Sequence, residues 1–292
     1  MSKRSKIVLL VDDYSIDRWM YLALERVINA GLSDIVLIVK NESDGIYKNR
    51  WRRLFNNRHK VIYFCYQVIE SMICRIFLGE SARKMMPICD LLPNVKKISV
   101  KPIEGKFTDE FAPSALRDIK EFDPDIIVRF GFRILKGGIL NIAKHGVWSY
   151  HHGDPNRFRG GPACYWESVF RTNKTGSILQ VLSDDLDGGT VLQKGYTATN
   201  IYSPFLNYEN AMLSSTPFLE DAIRLVGCNG CENVPAKPLS YYDGKIYKAP
   251  SNIVAVKHLF LFTKRILTRF LEKMIWFDQW SILYGPRDES NI

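Results

Sequence analysis

Two polar loops hold most of the side chains in this 292-residue chain that could move a proton or steady a developing charge. The first is Ser149-Tyr-His-His-Gly-Asp-Pro-Asn-Arg-Phe-Arg-Gly-Gly-Pro162, which gathers two histidines, an aspartate and two arginines directly after an apolar run. The second is Asp184-Asp-Leu-Asp-Gly-Gly189, a short glycine-bearing loop with three carboxylates. Histidine at a strand end can act as acid or base near neutral pH. A lone histidine is more often a satisfied structural residue. Here the second polar loop follows after one helix and one strand, which can return the chain to the same edge, and that favours a site.

The elements that must position these loops follow from hydrophobic patterning. Ile7 to Val11 and Asp34 to Val39 are continuous apolar runs, as in strands of a parallel sheet buried on both faces. Between them Ser15 to Ala30 has a helical pattern that Gly31 can stop. The alternation resumes with strands at Lys97 to Val100, Pro124 to Val128 and Gly146 to His151, and helices at Phe111 to Phe122 and Gly137 to Lys144. Gly161-Pro162 opens a helix through Phe170. Ile178 to Ser183 and Thr190 to Tyr196 read as paired strands, Leu206 to Val226 as one helix, and Ile253 to Phe277 as a long, basic, amphipathic helix. This order predicts an α/β, doubly wound, mostly parallel sheet with right-handed crossovers. Residues 41–92 interrupt it as a helical insertion. Ligands in such sheets bind beyond the carboxyl ends of strands, which singles out Asp12-Asp13, Arg129 to Leu135 and Ser149 to Arg159. Alternation along the strand places Ser149 and His151 on one face and Tyr150 and His152 on the other.

These motifs resemble the folate-dependent formyltransferases, a family that includes the methionyl-tRNA, glycinamide ribonucleotide and sugar N-formyltransferases. The family carries an Asn-x-His-x-Ser-Leu-Leu-Pro-x-x-Arg-Gly-x-x-Pro stretch and a later loop ending Asp-x-Gly. Aligned on Arg159-Gly160, the family histidine falls on His151 and its asparagine on Ser149. Thr175-Gly176 resembles the start of the family's Thr-Gly-x-Thr strand. Leu186-Asp187-Gly188-Gly189 resembles its Leu-Asp-Thr-Gly loop, so Asp187 takes the place of its aspartate. Pro124 to Leu135 resembles the strand and loop whose Arg-Ile-Leu backbone holds the pterin ring. The likeness runs from about residue 95 to 200, with a looser match over 6–40.

The resemblance implies catalytic roles for His151, Asp187 and Ser149, and a folate donor, N10-formyltetrahydrofolate, held by Arg133, Ile134 and Leu135 with Asp184, Asp185 and Leu186. Formyl transfer to an amine passes through a tetrahedral oxyanion, which needs a donor or cation. Protonated His151 fits that task, and Asp187 can accept the amine proton. Asp12, Asp13, His152, Asp154 and Arg159 are candidates to contact the acceptor; strand-end solvation and helix capping serve Asp12 and Asp13 equally well. Two departures stand out. A hydroxyl at Ser149 replaces an amide, and Gly153 to Asn156 adds a charge where the family has aliphatic side chains. Asp12 to Asp17 also lacks a glycine-rich phosphate cradle, against a glycinamide ribonucleotide transformylase.

Composition agrees with an ordinary globular chain: 46% hydrophobic and 24% charged residues. The formal charge of +9 is clustered at Lys48 to Lys60, which includes Trp51-Arg52-Arg53, and at Lys257 to Lys273. Six scattered cysteines, with one isolated pair at Cys228 and Cys231, read as reduced thiols, and no metal is expected. No stretch reaches the roughly 18 apolar residues of a membrane span. The expected location is cytoplasmic, peripheral at the inner membrane face through the C-terminal helix. Residues 1–200 are expected to form the catalytic domain and 201–292 a C-terminal extension. The expected acceptor is a nucleotide-linked amino sugar; a homodimer is an open possibility and nucleic acid is not an expected partner. The rival readings are a methionyl-tRNA formyltransferase-like enzyme, another acyl transfer or deformylase-like hydrolysis, and a non-catalytic module for anionic lipid or nucleic acid.

Overall fold

Ser5–Val11 form β1, with the last five residues buried on both sides by flanking helices. The structure, a computed structural model, describes residues 4–43, 57–184, 189–229, 237–238 and 245–284. After β1 come the short β2 (Ser15–Asp17), α1 (Arg18–Asn29) and β3 (Ser33–Asn41). The insertion contains α2 (Val61–Leu78) and β4 (Met85–Pro87), which pairs antiparallel with β2. The basic run around Trp51-Arg52-Arg53 lies outside the described residues.

β5 (Lys96–Val100) returns to the sheet. A small side sheet follows from β6 (Ile103–Glu104) and β7 (Thr108–Glu110), then α3 (Pro113–Lys120) and β8 (Ile126–Arg129). β9 (Ile134–Lys136) joins β7, and β10 (Val147–His152), α4 (Tyr165–Phe170), β11 (Lys174–Val181) and β12 (Thr190–Ala198) complete the site region. The chain continues through α5 (Pro204–Ser214), α6 (Phe218–Asn229), β13 (Lys237–Pro238) and α7 (Asn252–Tyr284).

The main sheet runs β13-β12-β11-β10-β8-β1-β3-β5. Neighbours from β10 to β5 are parallel, while β11, β12 and β13 add antiparallel. One core cluster joins β1, β3 and β8 to α1 and α6 through Leu24, Val27, Leu219 and Ile223. The other joins the opposite face to α3 through Ala115 and Ile119. Helices on both faces make the sheet doubly wound, as the alternating apolar runs predict.

Two expectations change. The helix expected over Leu206 to Val226 is two helices, because Pro217 has no N–H to continue the ladder and the Ser215 side chain turns back to the Met212 carbonyl. Gly137 to Lys144 yields only a 3-10 turn over Gly137–Asn141, in keeping with its two leading glycines. α2 is bound to the body on one side: Ser203 Oγ donates to Glu70 at 2.6 Å, and Tyr63 packs with Tyr165, Ala255 and Phe262. Its other side is exposed, including Val68, Ile69, Met72, Ile76 and Phe77.

Candidate functional site

β10 brings Ser149 and His151 to the carboxyl end of the sheet, on the face that lines a cavity of about 320 Å3. Its wall also holds Arg129 from the end of β8, Ile134 and Leu135 from β9, Arg159 from the first polar loop, Gln180 from β11 and Asp184 from the second. The volume suits a small organic ligand, and a few polar groups converge on a partly apolar wall.

The Ser149 hydroxyl is buried and accepts a hydrogen bond from Arg129 Nη1 at 2.9 Å. Arg129 also donates from Nε to the Arg133 carbonyl at 3.0 Å and from Nη2 to the Phe132 carbonyl at 2.9 Å. All three acceptors are neutral. Burial lowers the Arg129 pKa, opposed by the charges of Asp12 and Asp109, yet a guanidinium stays protonated. The site therefore contains a fixed cation whose charge no direct carboxylate contact cancels among the described residues. Such a group favours an anion, or a charge that develops during reaction.

The other face of β10 is structural. Leu219 N donates to the Tyr150 hydroxyl at 3.1 Å. His152 is 8% exposed, sits 3.0 Å from Ser215 Oγ and packs edge-on to Trp19 with ring centroids 4.9 Å apart. Burial, with His151 adding, lowers its pKa to about 3. It is neutral at pH 7 and does not line the cavity. Asp154 turns inward too: its carboxylate pairs with Lys194 of β12 at 3.2 Å and accepts from Asn156 N at 3.1 Å. The extra charge of the Gly153 to Asn156 loop is thus neutralised within the fold, and Pro155 faces the cavity instead.

Asp12 accepts from Phe132 N at 2.7 Å and Asn41 Nδ2 at 3.0 Å, which holds the turn after β8 against β1. Asp13 accepts from Tyr14 N at 2.7 Å. Neither lines the cavity. The Arg133 side chain points to Asp109, at 2.6 Å and 2.9 Å, so only its carbonyl serves the site, through Arg129. Asp184 accepts from Gly137 N at 3.3 Å. Asp185, Leu186 and Asp187 lie outside the described residues.

Arg129 belongs to the strand-end stretch singled out from the sequence but had no role assigned there, and Gln180 and Ile246 on the same wall had no signal of their own. Gln180 pairs directly with Ser149 across β10 and β11, and its Oε1 has no hydrogen-bond partner among the described residues. A carboxamide thus stands beside the hydroxyl that replaces the expected asparagine. Strand register alone would have revealed it. Ile246 arrives from a distant segment. Tyr247 N donates to the Arg159 carbonyl at 2.8 Å, and Gly161 N to the Tyr247 carbonyl at 3.0 Å. Gly160, with φ of 100°, allows this approach, since a Cβ there would lie 2.3 Å from the Tyr247 oxygen.

No protein-family model matches the chain. A methionyl-tRNA formyltransferase from Prochlorococcus marinus is 33% identical over 75 residues, covering 25% of this chain and 22% of that enzyme. The same enzyme from Myxococcus xanthus is 31% identical over 81 residues, 27% of this chain and 26% of that one. The matched stretch thus spans about a quarter of the curated relatives' length. Among solved structures, glycinamide ribonucleotide transformylase 1 from Symbiobacterium toebii superposes with a TM-score of 0.52 at 12% identity, covering 81% of this chain and 95% of that one. The superposition covers most of the chain, and the chain has the formyltransferase fold.

Proposed function

We propose that this protein transfers a formyl group from N10-formyltetrahydrofolate to a primary amine. The observation that carries the reading is the clustering of His151, Ser149 and the buried Arg129 cation on one wall of a ligand-sized cavity. The amine nitrogen attacks the formyl carbon, a new C–N bond forms, and the carbonyl oxygen becomes an oxyanion. Protonated His151 and the field of Arg129 stabilise that oxygen. Asp187 takes the proton that the amine loses. The oxyanion then collapses to the carbonyl of the new amide, the bond to the folate nitrogen breaks, and Asp187 passes its proton to that nitrogen, which leaves as the neutral secondary amine of tetrahydrofolate. Ile134 and Leu135 with Asp184, Asp185 and Leu186 hold the donor. Arg159, on the cavity wall, is placed for an anionic part of either ligand.

The acceptor in this reading is a nucleotide-linked amino sugar. A small acceptor suits the cavity volume. The test is incubation with formyltetrahydrofolate and a panel of amino-sugar nucleotides, reading product mass. Amine-dependent release of tetrahydrofolate supports the reading; release without an amine points to hydrolysis.

Peripheral contact with an anionic bilayer belongs to the same proposal. Among the described residues, no helix is long and apolar enough to cross a membrane. The free sides of α2 and α7 nevertheless expose Ile76, Phe77, Phe260, Leu267 and Phe270, with Lys257, Lys264, Arg269 and Lys273 between them on α7. Apolar residues interleaved with cations suit an anionic interface. Deleting α7 is a poor test, because Ala255 and Phe262 pack on Tyr165, and Arg265 donates to three carbonyls of the body. Substituting Phe260 and Phe270 with serine leaves that packing intact. Loss of co-sedimentation with phosphatidylglycerol vesicles supports the contact; unchanged binding removes it.

A further inference from the structure

One buried ionisable group has no part in the chemistry above. Glu167 of α4 is 1% exposed, and among the described residues neither carboxyl oxygen has a hydrogen-bond partner. The amides of Glu167 itself and of Asp154 face it without forming a bond of good geometry. A carboxyl placed this way weakens the fold, and an apolar side chain of similar size would pack there at lower cost. The strain around it is local as well: α4 is entered through Cys164 and left through Arg171, both in the left-handed region.

Gly153 locates the carboxyl relative to the site. A Cβ built on Gly153 would lie 3.7 Å from Glu167 Oε1 and 3.8 Å from His151 Nε2. The carboxyl and the imidazole therefore both approach the side of Gly153 on which a side chain would stand, and glycine leaves that space open. We propose that Glu167 is a positioning residue for His151, facing the imidazole across Gly153 and favouring its protonated form. The proposal rests on the reading in which His151 acts on the transferred formyl group. The carboxyl makes no direct hydrogen bond among the described residues, so its effect on the imidazole acts through space or through one water.

Among the described residues, His152 acts on His151 along β10, and Arg129, Arg159 and Asp184 share its cavity wall. Asp154 and Arg157 of the loop after β10 face Glu167, Asp154 is itself paired with Lys194 of β12, and Cys164 precedes it on its own element. Burial is the main cause that pushes the Glu167 carboxyl up to about 7, with the Asp154 charge adding and the Arg157 charge opposing. The group therefore changes charge in the same pH range as an ordinary imidazole.

The experiment is an NMR titration of the His151 imidazole in the full chain, without substrate, for the wild type and for Glu167→Gln. Loss of the carboxylate is expected to lower the His151 pKa by roughly one unit or more, and to move the acid limb of the pH–rate profile by the same amount. A structural carboxyl would leave that pKa where it was, and an unchanged value in the folded variant overturns the proposal while leaving formyl transfer standing. Should Glu167→Gln not fold, the wild-type curve decides. Coupling to a second group gives a two-step His151 titration, and a single step overturns the proposal. A coupled His151 in a protein that transfers no formyl group would instead sink the catalytic reading alone.

Discussion

Arg129 donates from Nη1 to the hydroxyl of Ser149 at 2.9 Å, so the residue that replaces the expected asparagine is held by a cation from the neighbouring strand. A serine is shorter than an asparagine and reaches less far into the cavity. The guanidinium behind it supplies charge that an amide lacks, and Gln180 stands opposite with a carboxamide. A hydroxyl, a guanidinium and a carboxamide thus share this part of the cavity wall.

Replacing Arg129 with lysine keeps a charge but cannot reach all three acceptors. Leaving a buried carbonyl unpaired costs roughly 1–3 kcal/mol. We expect a folded, less stable protein whose kcat for formyl transfer falls on the order of 100-fold. Thermal unfolding and steady-state kinetics check both halves. Unchanged kcat would take Arg129 out of the mechanism.

His151→Asn and Asp187→Asn are each expected to reduce formyl transfer at least about 100-fold. For His151→Asn, circular dichroism and unfolding should remain near wild type, because its side chain faces the cavity. Retained turnover in either variant would assign its role elsewhere.

His152 predicts a pH effect on stability rather than on rate. Its folded pKa lies near 3 against an ordinary value of 6.5. A depressed base binds fewer protons in the folded state than in the unfolded state. Its contribution is thus intact above about pH 6.5 and lost as pH falls towards 3. His152→Gln should flatten the decline in Tm over that window. Glu167, with a raised carboxyl pKa, acts with the opposite sign and weakens the fold as pH rises through about 7, so only the difference between variant and wild type isolates His152. Parallel curves for the two proteins would refute the assignment.

Gly160→Ala tests whether the 245–250 segment closes the site. A Cβ at that position meets the Tyr247 carbonyl, and φ of 100° is strained for alanine. We expect a loss of roughly 1–3 kcal/mol and weaker binding of a reduced folate, measured by calorimetry. Unaltered affinity would show that Ile246 is not part of the ligand wall.

Much of this fold was legible because buried parallel strands are written as unbroken apolar runs, as in Ile7 to Val11 and Ile126 to Val128. The strand that carries Ser149 and His151 was legible for the same reason, and alternation along it placed both on the cavity side. What escaped sequence reading depends on contacts between distant segments. Arg129 opens a stretch singled out at a strand end, but its role shows only when Ser149 and the 132–133 carbonyls are seen to surround it. Asp154 reads as a candidate to contact the acceptor until Lys194 arrives from β12 to pair with it. Glu167 carries no separate signal within the helix expected from Gly161 to Phe170, yet the short α4 buries it. Polar residue types mark where a loop is, but not which way each side chain turns.

The most direct test is a single-turnover assay with formyltetrahydrofolate, following tetrahydrofolate and formylated amine together across amino-sugar nucleotides, in wild type and His151→Asn. The account predicts stoichiometric, amine-dependent transfer in the wild type and none in the variant. Failure of the wild type to bind a reduced folate, or equal transfer by both proteins, would contradict it.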